Sequence, residues 1–109
     1  MIKILVTGAT GMVGRNIIES IDFKIYNLLS PSSRELNLLD VKGVQNYFKL
    51  HQPDIVIHCA GTVGGIQANI ENPVKFLVDN TQMGVNLVMA SYGSGVKKLR
   101  PHSLFIIFH

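Results

Sequence analysis

The sequence is poor in several residue types that mark particular classes of protein. Of its 109 residues, none is tryptophan, 7% are aromatic, 16% are charged, and Cys59 is the one cysteine. A single cysteine excludes an internal disulfide and is typical of a reducing compartment. Because 47% of the residues are hydrophobic, the composition also excludes an intrinsically disordered chain. A chain of this length has room for one domain with a modest core.

Other absences narrow the choice of partners. No stretch reaches the ~18 apolar residues of a membrane-spanning helix, and the N-terminal apolar run is too short for a secretory signal. The net charge is only +3, and the densest basic stretch, Lys97, Lys98 and Arg100, has no interleaved aromatic residues. The four histidines form no metal-ligand spacing. These absences predict a cytoplasmic protein with no metal site and no nucleic-acid or membrane partner.

Apolar runs typical of strands alternate along the chain with apolar residues at helical spacing. Apolar runs, typical of strands buried on both faces, lie at residues 2–7, 23–29 and 55–60, and a short strand is also predicted at residues 35–39. Apolar residues at helical spacing predict helices over 11–20, after an N-cap at Asp40, and from Asn72 to Tyr92. Strands that alternate with helices predict an α/β fold with a parallel sheet covered on both faces.

The last predicted helix carries four further expectations. Asn72 is its expected N-cap, and Gly84 in its interior indicates the close approach of another backbone. Asn80 and Asn86 lie either toward solvent or against an active-site loop, and the sequence does not separate these two readings. The residues of its apolar stripe, taken as the core-facing side, are Val74, Leu77, Val78, Thr81, Val85, Val88 and Tyr92.

A glycine-rich loop carries the strongest functional signal. The segment Gly8-Ala9-Thr10-Gly11-Met12-Val13-Gly14 directly follows a predicted strand and opens a predicted helix. In that context Gly8 allows a tight turn, Gly11 lets a pyrophosphate approach the backbone, and Gly14 lets the helix lie close to the strand. The helix dipole and the amides of the first turn then favour the diphosphate. The alternative reading is a turn that needs glycine for its geometry alone.

The glycine spacing GxxGxxG resembles that of the short-chain dehydrogenase/reductase superfamily, and the start TGATG is typical of its extended branch. Sites that prefer NAD usually carry an acidic residue about 20 positions further on, at the end of the second strand. Residues 26–34 contain no Asp or Glu and instead offer Ser30, Ser32, Ser33 and Arg34, which suit a 2′-phosphate. NADP is therefore expected rather than NAD. The alternative is that Arg34 is a surface residue on a polar loop.

Further segments resemble the GDP-L-fucose synthase family. They are residues 34–40 (RELNLLD), 63–69 (VGGIQAN), 72–80, 83–86 (MGVN) and 95–99 (GVKKL). The likeness covers residues 1–99 and implies a Rossmann-type doubly wound parallel sheet, truncated after about the fourth or fifth strand. It also implies a nucleotide-sugar substrate and NADP as cofactor, because enzymes of that family epimerise GDP-4-keto-6-deoxymannose and reduce it with NADPH.

The same resemblance implies cofactor-binding roles for particular positions. The residues expected around the pyrophosphate and the nearby ribose are Gly8, Thr10, Gly11, Met12, Val13 and Gly14. Ser33 and Arg34 correspond to the 2′-phosphate site, and Asn37 and Leu38 to the adenine pocket. Cys59, Ala60 and Gly61 correspond to the strand end beneath the nicotinamide ribose. Thr10 and Thr62 stand where relatives carry an arginine and a lysine, so weaker phosphate binding is expected.

Several of these positions have a plainer alternative reading. Leu38 is also consistent with the core, and Asn37 with a turn. Cys59 and the adjacent His58 are more simply read as buried strand residues than as functional groups.

The catalytic residues of the superfamily have no counterpart in this sequence. Its chemistry rests on a Ser and on a Tyr followed four residues later by a Lys, whereas the three tyrosines here are followed at that distance by Ser30, His51 and Val96. From Arg100 onward the likeness ends, so residues 100–109 are predicted to be a divergent tail after a domain of residues 1–99. We expect a chain that is inactive alone. The alternatives are a non-catalytic NADP-binding or interaction module and the remnant of a frameshifted gene.

The end of the chain predicts self-association. Residues 104–108 are apolar, uncharged and β-prone, so they form either a replacement strand or a contact with another chain. An unfinished parallel sheet also exposes an apolar edge through which a homo-oligomer could form. We expect oligomers or poor solubility in light scattering over a concentration series. A monomer at high concentration would contradict this expectation.

Overall fold

The computed structural model describes residues 1–59, 72–92 and 104–108, in which strands and helices alternate. The strands within these residues are β1 (Ile2–Thr7), β2 (Tyr26–Leu29), β3 (Ile55–Cys59) and β4 (Leu104–Phe108). The helices are α1 (Met12–Ser20), α2 (Val41–His51) and α3 (Pro73–Ser91). None of these described helices is long and apolar enough to cross a membrane.

The strands form one parallel sheet in the order β2-β1-β3-β4. Leu5 in β1 pairs with Leu29 of β2 on one side and with Val56 of β3 on the other. After β2 the chain therefore crosses to the other side of β1, and the winding direction reverses at the junction of β1 and β3. This topology confirms the predicted Rossmann-type α/β sheet. Of the two readings of the tail, the structure has the strand, because residues 104–108 pair in parallel with β3.

Two apolar layers cover the sheet, one on each face. On one face, α1 packs Ile17, Ile18 and Ile21 against a layer that contains Ile4 and Val6. On the other face, α2 and α3 complete a larger cluster. Its buried members are Leu5, Leu36, Val44, Phe48, Val56, Leu87 and Ala90. Burial of both faces explains why the strands are continuous apolar runs in the sequence.

Helices α2 and α3 both begin at their predicted N-cap residues, but only α2 has a side-chain cap there. The Asp40 carboxylate accepts a hydrogen bond from the N–H of Gly43 at 3.2 Å and so caps α2. At the other end of α2, Gln52 adopts the left-handed conformation (φ 45°) and donates its N–H to the carbonyl of Phe48. Asn72 occupies the N-cap position of α3, but its side chain makes no capping hydrogen bond. The predicted helix start, with Asn72 as N-cap and Pro73 in the first turn, is therefore confirmed, although the Asn72 side chain does not cap it.

The prediction of a strand at residues 35–39 is wrong, because local hydrogen bonds hold this segment in turns. The N–H of Glu35 donates to Ser32 Oγ at 3.2 Å, and the N–H of Ser32 donates to the Glu35 carboxylate at 3.1 Å. Asn37 Oδ1 then accepts a hydrogen bond from the N–H of Leu39. Such bonds between side chain and backbone compete with strand pairing.

Strand β2 is shorter than the predicted run of residues 23–29. The carbonyl of Asp22 accepts hydrogen bonds from the N–H groups of both Ile25 and Tyr26 at 3.0 Å, which closes a turn before the strand. Phe23 and Ile25 consequently lie outside the sheet and are exposed.

Helix α3 buries a different face from the predicted one. Val74, Leu77 and Val78 of the predicted stripe are 72%, 66% and 57% exposed, whereas Leu87 and Ala90 are buried in the larger cluster. Apolar residues occur on both sides of this helix, so their periodicity alone does not identify the side that packs. Packing on α2 and the sheet decides it.

Gly84 lacks the close contact that the sequence suggested. A Cβ built on Gly84 would meet no heavy atom within 4 Å in the part of the chain that the structure describes. The expected close backbone approach is therefore not made by any described residue. Within this part of the chain, Gly84 lowers the helix propensity of α3 without a compensating gain in packing.

We expect Gly84→Ala to raise the free energy of unfolding by about 0.5–1 kcal/mol, because alanine favours the helix and its methyl group finds open space. Urea denaturation followed by circular dichroism measures the change. Gly43→Ala is the matched control, since its Cβ would lie 2.8 Å from the Asp40 carboxylate and would disturb the cap of α2. An equal gain at both positions would contradict this account of the two helices.

Candidate functional site

The candidate site lies at the edge of the sheet where β1 and β3 end. Open α/β sheets bind ligands outside the carboxyl ends of their strands, where the winding direction reverses. Here β1 ends at Thr7, β3 ends at Cys59, and the chain turns from β1 into α1 through residues 8–11. The turn begins at Gly8, with φ +70°, and the N–H of Gly11 donates to the Gly8 carbonyl at 3.1 Å.

The three glycines of this loop differ in how closely other atoms surround them. A Cβ on Gly8 would overlap the carbonyl oxygen of Cys59, so β1 could not leave the sheet so close to β3. A Cβ on Gly14 would overlap the carbonyl oxygen of Gly8 and lie 2.9 Å from the Cα of Ala9. Among the described residues, a Cβ on Gly11 would meet only the Gly8 oxygen, at an ordinary 3.5 Å. Packing within this part of the chain therefore requires glycine at positions 8 and 14 and not at position 11.

The N-cap residue of helix α1 provides no side-chain cap. This residue is Gly11, which has no side chain, and the first turn of the helix contains no acidic residue. Thr10, Gly11, Met12 and Val13 are all exposed, and Met12 is 82% exposed although it is apolar. The helix thus presents the amides of its first turn and the positive end of its dipole at the sheet edge, an arrangement that suits phosphate.

A buried hydrogen bond joins the ends of β1 and β3. Thr7 Oγ1 and His58 Nδ1 lie 2.6 Å apart, and both residues are 3% exposed. The two residues are also paired in the sheet register, so the bond ties the strand ends together immediately before the glycine loop. His58 therefore matches its plainer reading as a satisfied strand histidine.

Cys59 also matches its plainer reading in the contacts of its side chain. It is 4% exposed and packs in the layer beneath α1, and burial raises the pKa of its thiol. A raised pKa keeps the thiol protonated and unreactive at neutral pH. Ala60 and Gly61, which the resemblance assigns to the nicotinamide ribose with Cys59, lie outside the described residues, as does Thr62.

The segment after β2 presents Ser33 and Arg34 to solvent. The reciprocal bonds of Ser32 and Glu35 form a capping-box turn on one side of them, and Leu36 is buried in the core immediately afterwards. Because parallel strands end at the same edge of a sheet, this turn lies on the same edge as the glycine loop. The S-x-x-E spacing at residues 32–35 predicts such a turn, and the sequence reasoning above missed it.

Asn37 and Leu38 follow this turn and have different surroundings. Asn37 is exposed, and its side chain acts as a turn former through the hydrogen bond from the N–H of Leu39 at 3.1 Å. Leu38 is half-buried and packs against the larger core cluster. Their plainer readings thus describe their contacts in the protein, and a role toward adenine stays a prediction.

Asn86 braces this segment and does not face solvent, whereas the part of the segment in an active site stays a prediction. It is 6% exposed, and its Nδ2 donates to the Leu38 carbonyl at 2.8 Å. Its Oδ1 accepts a hydrogen bond from Gln82 Nε2 at 2.6 Å. Asn80 differs, because its Nδ2 donates within α3 to the Phe76 carbonyl, and its buried Oδ1 has no hydrogen-bond partner among the described residues.

The arrangement suits an anionic nucleotide better than a metal ion. The described ranges contain no group of three or more His, Cys, Asp or Glu side chains that could hold a metal. They do contain a dipole-bearing helix start and an exposed turn with an arginine on one sheet edge. Gln82 is the one further residue of this region that the sequence reasoning missed, since nothing in its local sequence indicates what it contacts.

Comparison with known sequences identifies similar proteins. The model of the NAD dependent epimerase/dehydratase family matches residues 4–103. GDP-L-colitose synthase of Yersinia pseudotuberculosis is 55% identical over 97 residues, and GDP-L-fucose synthase of Azorhizobium caulinodans is 44% identical over 97 residues. The matched region is 89% of this chain but 32% and 31% of those two proteins. The chain therefore spans about a third of the length of these curated relatives.

Solved structures share the fold of this chain. A GDP-L-fucose synthetase from Naegleria fowleri bound to NADP superimposes with a TM-score of 0.73 at 30% identity, over 97% of this chain and 33% of that chain. A GDP-D-glycero-L-gluco-heptose synthase from Campylobacter jejuni, solved in the presence of NADPH, gives a TM-score of 0.78 at 26% identity. That match covers 98% of this chain and 30% of the other.

The packing of the glycine loop predicts losses of different size for two similar substitutions. We expect Gly14→Ala to lower the free energy of unfolding by about 2–3 kcal/mol, because the methyl group would overlap the backbone of the loop. Gly11→Ala should cost less than about 1 kcal/mol, the effect of a poorer N-cap. Urea denaturation measures both values, and equal losses would contradict the packing described for this loop.

Proposed function

The chain belongs to the NAD dependent epimerase/dehydratase family, and on that premise we propose that it is the NADP-binding portion of a nucleotide-sugar epimerase/reductase that resembles GDP-L-fucose synthase. In this proposal residues 1–99 form the cofactor-binding domain and residues 100–109 a divergent tail. The observation that carries the proposal is the glycine at position 11. It is exposed and has a negative φ of −75°, so neither packing nor backbone strain accounts for it.

Access of a ligand to the backbone accounts for Gly11. A side chain at this position would add bulk at the N-cap of α1, next to the first turn of the helix. The cradle that a Cβ would obstruct therefore fits the pyrophosphate of a dinucleotide, which binds through backbone N–H groups at helix starts. In this role Gly8 and Gly14 set the position of the helix, while Thr10, Gly11, Met12 and Val13 line the ligand.

The turn after β2 supports NADP over NAD. An NAD site needs a carboxylate at the end of the second strand to accept hydrogen bonds from the ribose hydroxyls, and β2 ends at Leu29 without one. Ser33 and Arg34 are exposed there and offer a hydroxyl and a guanidinium, which pair well with a phosphate. The nearby Glu35 carboxylate is engaged by the N–H of Ser32. The NADP and NADPH complexes of similar proteins agree with this assignment.

The two ends of the cofactor are assigned with the help of the resemblance. Adenine would lie against the exposed Asn37 and the half-buried Leu38, beyond the 2′-phosphate turn. The nicotinamide ribose would pass the end of β3, where Cys59, Ala60 and Gly61 follow one another. The substrate of the whole enzyme would be a GDP-linked sugar, as the names of the curated relatives indicate.

In this proposal the chain contributes to the chemistry by binding and orienting NADPH. NADPH, when bound, supplies the hydride for reduction of a keto sugar. A reaction of this kind also needs a proton donor, and no tyrosine of this chain has a lysine four residues after it. We therefore propose that the chain alone binds the cofactor without turnover. The same absence favours, as a second candidate, an NADP-binding module that acts through a partner.

We expect the chain to bind NADPH more tightly than NADH, and Arg34→Ala to weaken NADPH binding about tenfold while it leaves NADH binding nearly unchanged. The reason is that the guanidinium pairs with a phosphate that NADH lacks. Titration of cofactor fluorescence measures the four dissociation constants. Lys49→Ala is the matched control, because it removes one exposed positive charge from the last turn of α2, away from the proposed site.

The same titration tests the pyrophosphate assignment. Gly11→Val should abolish binding of both cofactors in a chain that circular dichroism shows to be folded. Tight NADH binding by the Gly11→Val chain, or equal effects of Arg34→Ala and Lys49→Ala, would refute the proposed site. NADPH consumption by the unchanged chain with GDP-4-keto-6-deoxymannose would refute the proposal that it does not turn over alone.

A further inference from the structure

We infer that Asn86 is a positioning residue for the adenine end of the cofactor, although it lies on α3, outside every segment assigned to the site above. The inference rests on the proposed function, because it concerns how the protein holds an NADP-binding segment. Asn86 and Leu38 are 48 positions apart in the chain, and a hydrogen bond joins the side-chain amide of Asn86 to the backbone carbonyl of Leu38.

The amide of Asn86 is placed to orient one backbone group. It is buried at 6% exposure, and both of its polar atoms have partners: Nδ2 donates to the Leu38 carbonyl at 2.8 Å, and Oδ1 accepts from Gln82 Nε2 at 2.6 Å. The bond from Gln82 fixes which side of the amide is the donor. A buried amide held from both sides has one orientation, because any other would leave polar atoms unpaired.

The segment that Asn86 holds has two anchors with an exposed residue between them. Leu36 is buried in the same cluster as Leu87, the residue that follows Asn86 on α3. The Leu38 carbonyl is held by Asn86 itself. Asn37 lies between these anchors and is exposed. The backbone is thus anchored on both sides of Asn37, whose own Oδ1 accepts a hydrogen bond from the N–H of Leu39.

This geometry distinguishes positioning from simple stabilisation. If Asn86 only stabilised the fold, its loss would reduce the folded fraction and leave the affinity of the folded chains unchanged. If it positions the segment, the folded chains themselves bind more weakly. The loss should concern the adenine half of the cofactor and should therefore be equally large for a ligand that consists of that half alone.

The test compares Asn86→Leu with Ser91→Ala and uses two probes, NADPH and adenosine 2′,5′-bisphosphate. Asn86→Leu keeps the side-chain size and removes both hydrogen bonds. Ser91→Ala removes a bond of the same 2.8 Å length that also ends on a backbone carbonyl, but on Leu87 within α3. Gln82→Leu is the milder variant, because Gln82 is exposed and its loss only releases the orientation of Asn86. Each dissociation constant is corrected for the folded fraction measured by circular dichroism.

We expect Asn86→Leu to weaken both probes by the same factor of about ten, Gln82→Leu by about twofold to threefold, and Ser91→Ala by less than about twofold. Unchanged affinities for Asn86→Leu and Gln82→Leu would overturn the inference and leave the proposed function standing. A loss for NADPH alone, or no bisphosphate binding by the unchanged chain, would also overturn it. Failure of the unchanged chain to bind NADPH would refute the proposed function itself, and the inference with it. If Asn86→Leu does not fold, Gln82→Leu decides between these outcomes.

Discussion

The close approach of Gly8 to the carbonyl of Cys59 is the constraint on which the candidate site depends. It lets β1 leave the sheet directly beside β3, in a left-handed turn that a side chain would strain. The helix that follows then returns across the sheet, and Gly14 rests on the carbonyl of Gly8 itself. The contact of Gly8 with Cys59 and the contact of Gly14 with Gly8 leave no room for a Cβ, and together they set where α1 begins. The positive end of its dipole is held at the sheet edge by packing, before any ligand is present.

The segment after β2 is built on a different principle, since hydrogen bonds and not close packing define it. Its turn depends on the Glu35 carboxylate, an acidic group in a segment that we assign to a phosphate. The carboxylate accepts the N–H of Ser32, and its charge also reaches Tyr47 of α2, whose pKa is raised by burial and, to a lesser extent, by Glu35. Glu35 thus serves the turn as a hydrogen-bond acceptor, and Ser33 and Arg34 remain the exposed groups between Ser32 and Glu35.

Sequence patterns predicted the parts of the fold in which local chemistry decides the outcome. The strands at residues 2–7 and 55–59 were predictable because burial on both faces demands continuous apolar residues, and the Asp40 cap because its hydrogen bond is local. The buried side of α3 was not predictable from periodicity, because both sides of the helix are apolar and its packing partners are distant in sequence. The expected strand at 35–39 does not form. The leucines of this segment suggested a strand, but the hydrogen bonds of the S-x-x-E pattern at residues 32–35 decide its structure.

The candidate site shows the same division. The motif identified the three glycines together, but only their surroundings separate Gly8 and Gly14, which packing requires, from Gly11, which it does not. The contact between Asn86 and the Leu38 carbonyl has no signal in either segment, because a backbone acceptor leaves no trace in the sequence. In the proposed function, the pyrophosphate would rest on amides that do not titrate, fixed by a packed core. The choice of NADP over NAD would rest on an exposed arginine, whose attraction to a phosphate is screened by salt. In that proposal, affinity for the dinucleotide and preference for its 2′-phosphate would be physically separate properties, because different groups of the chain would carry them.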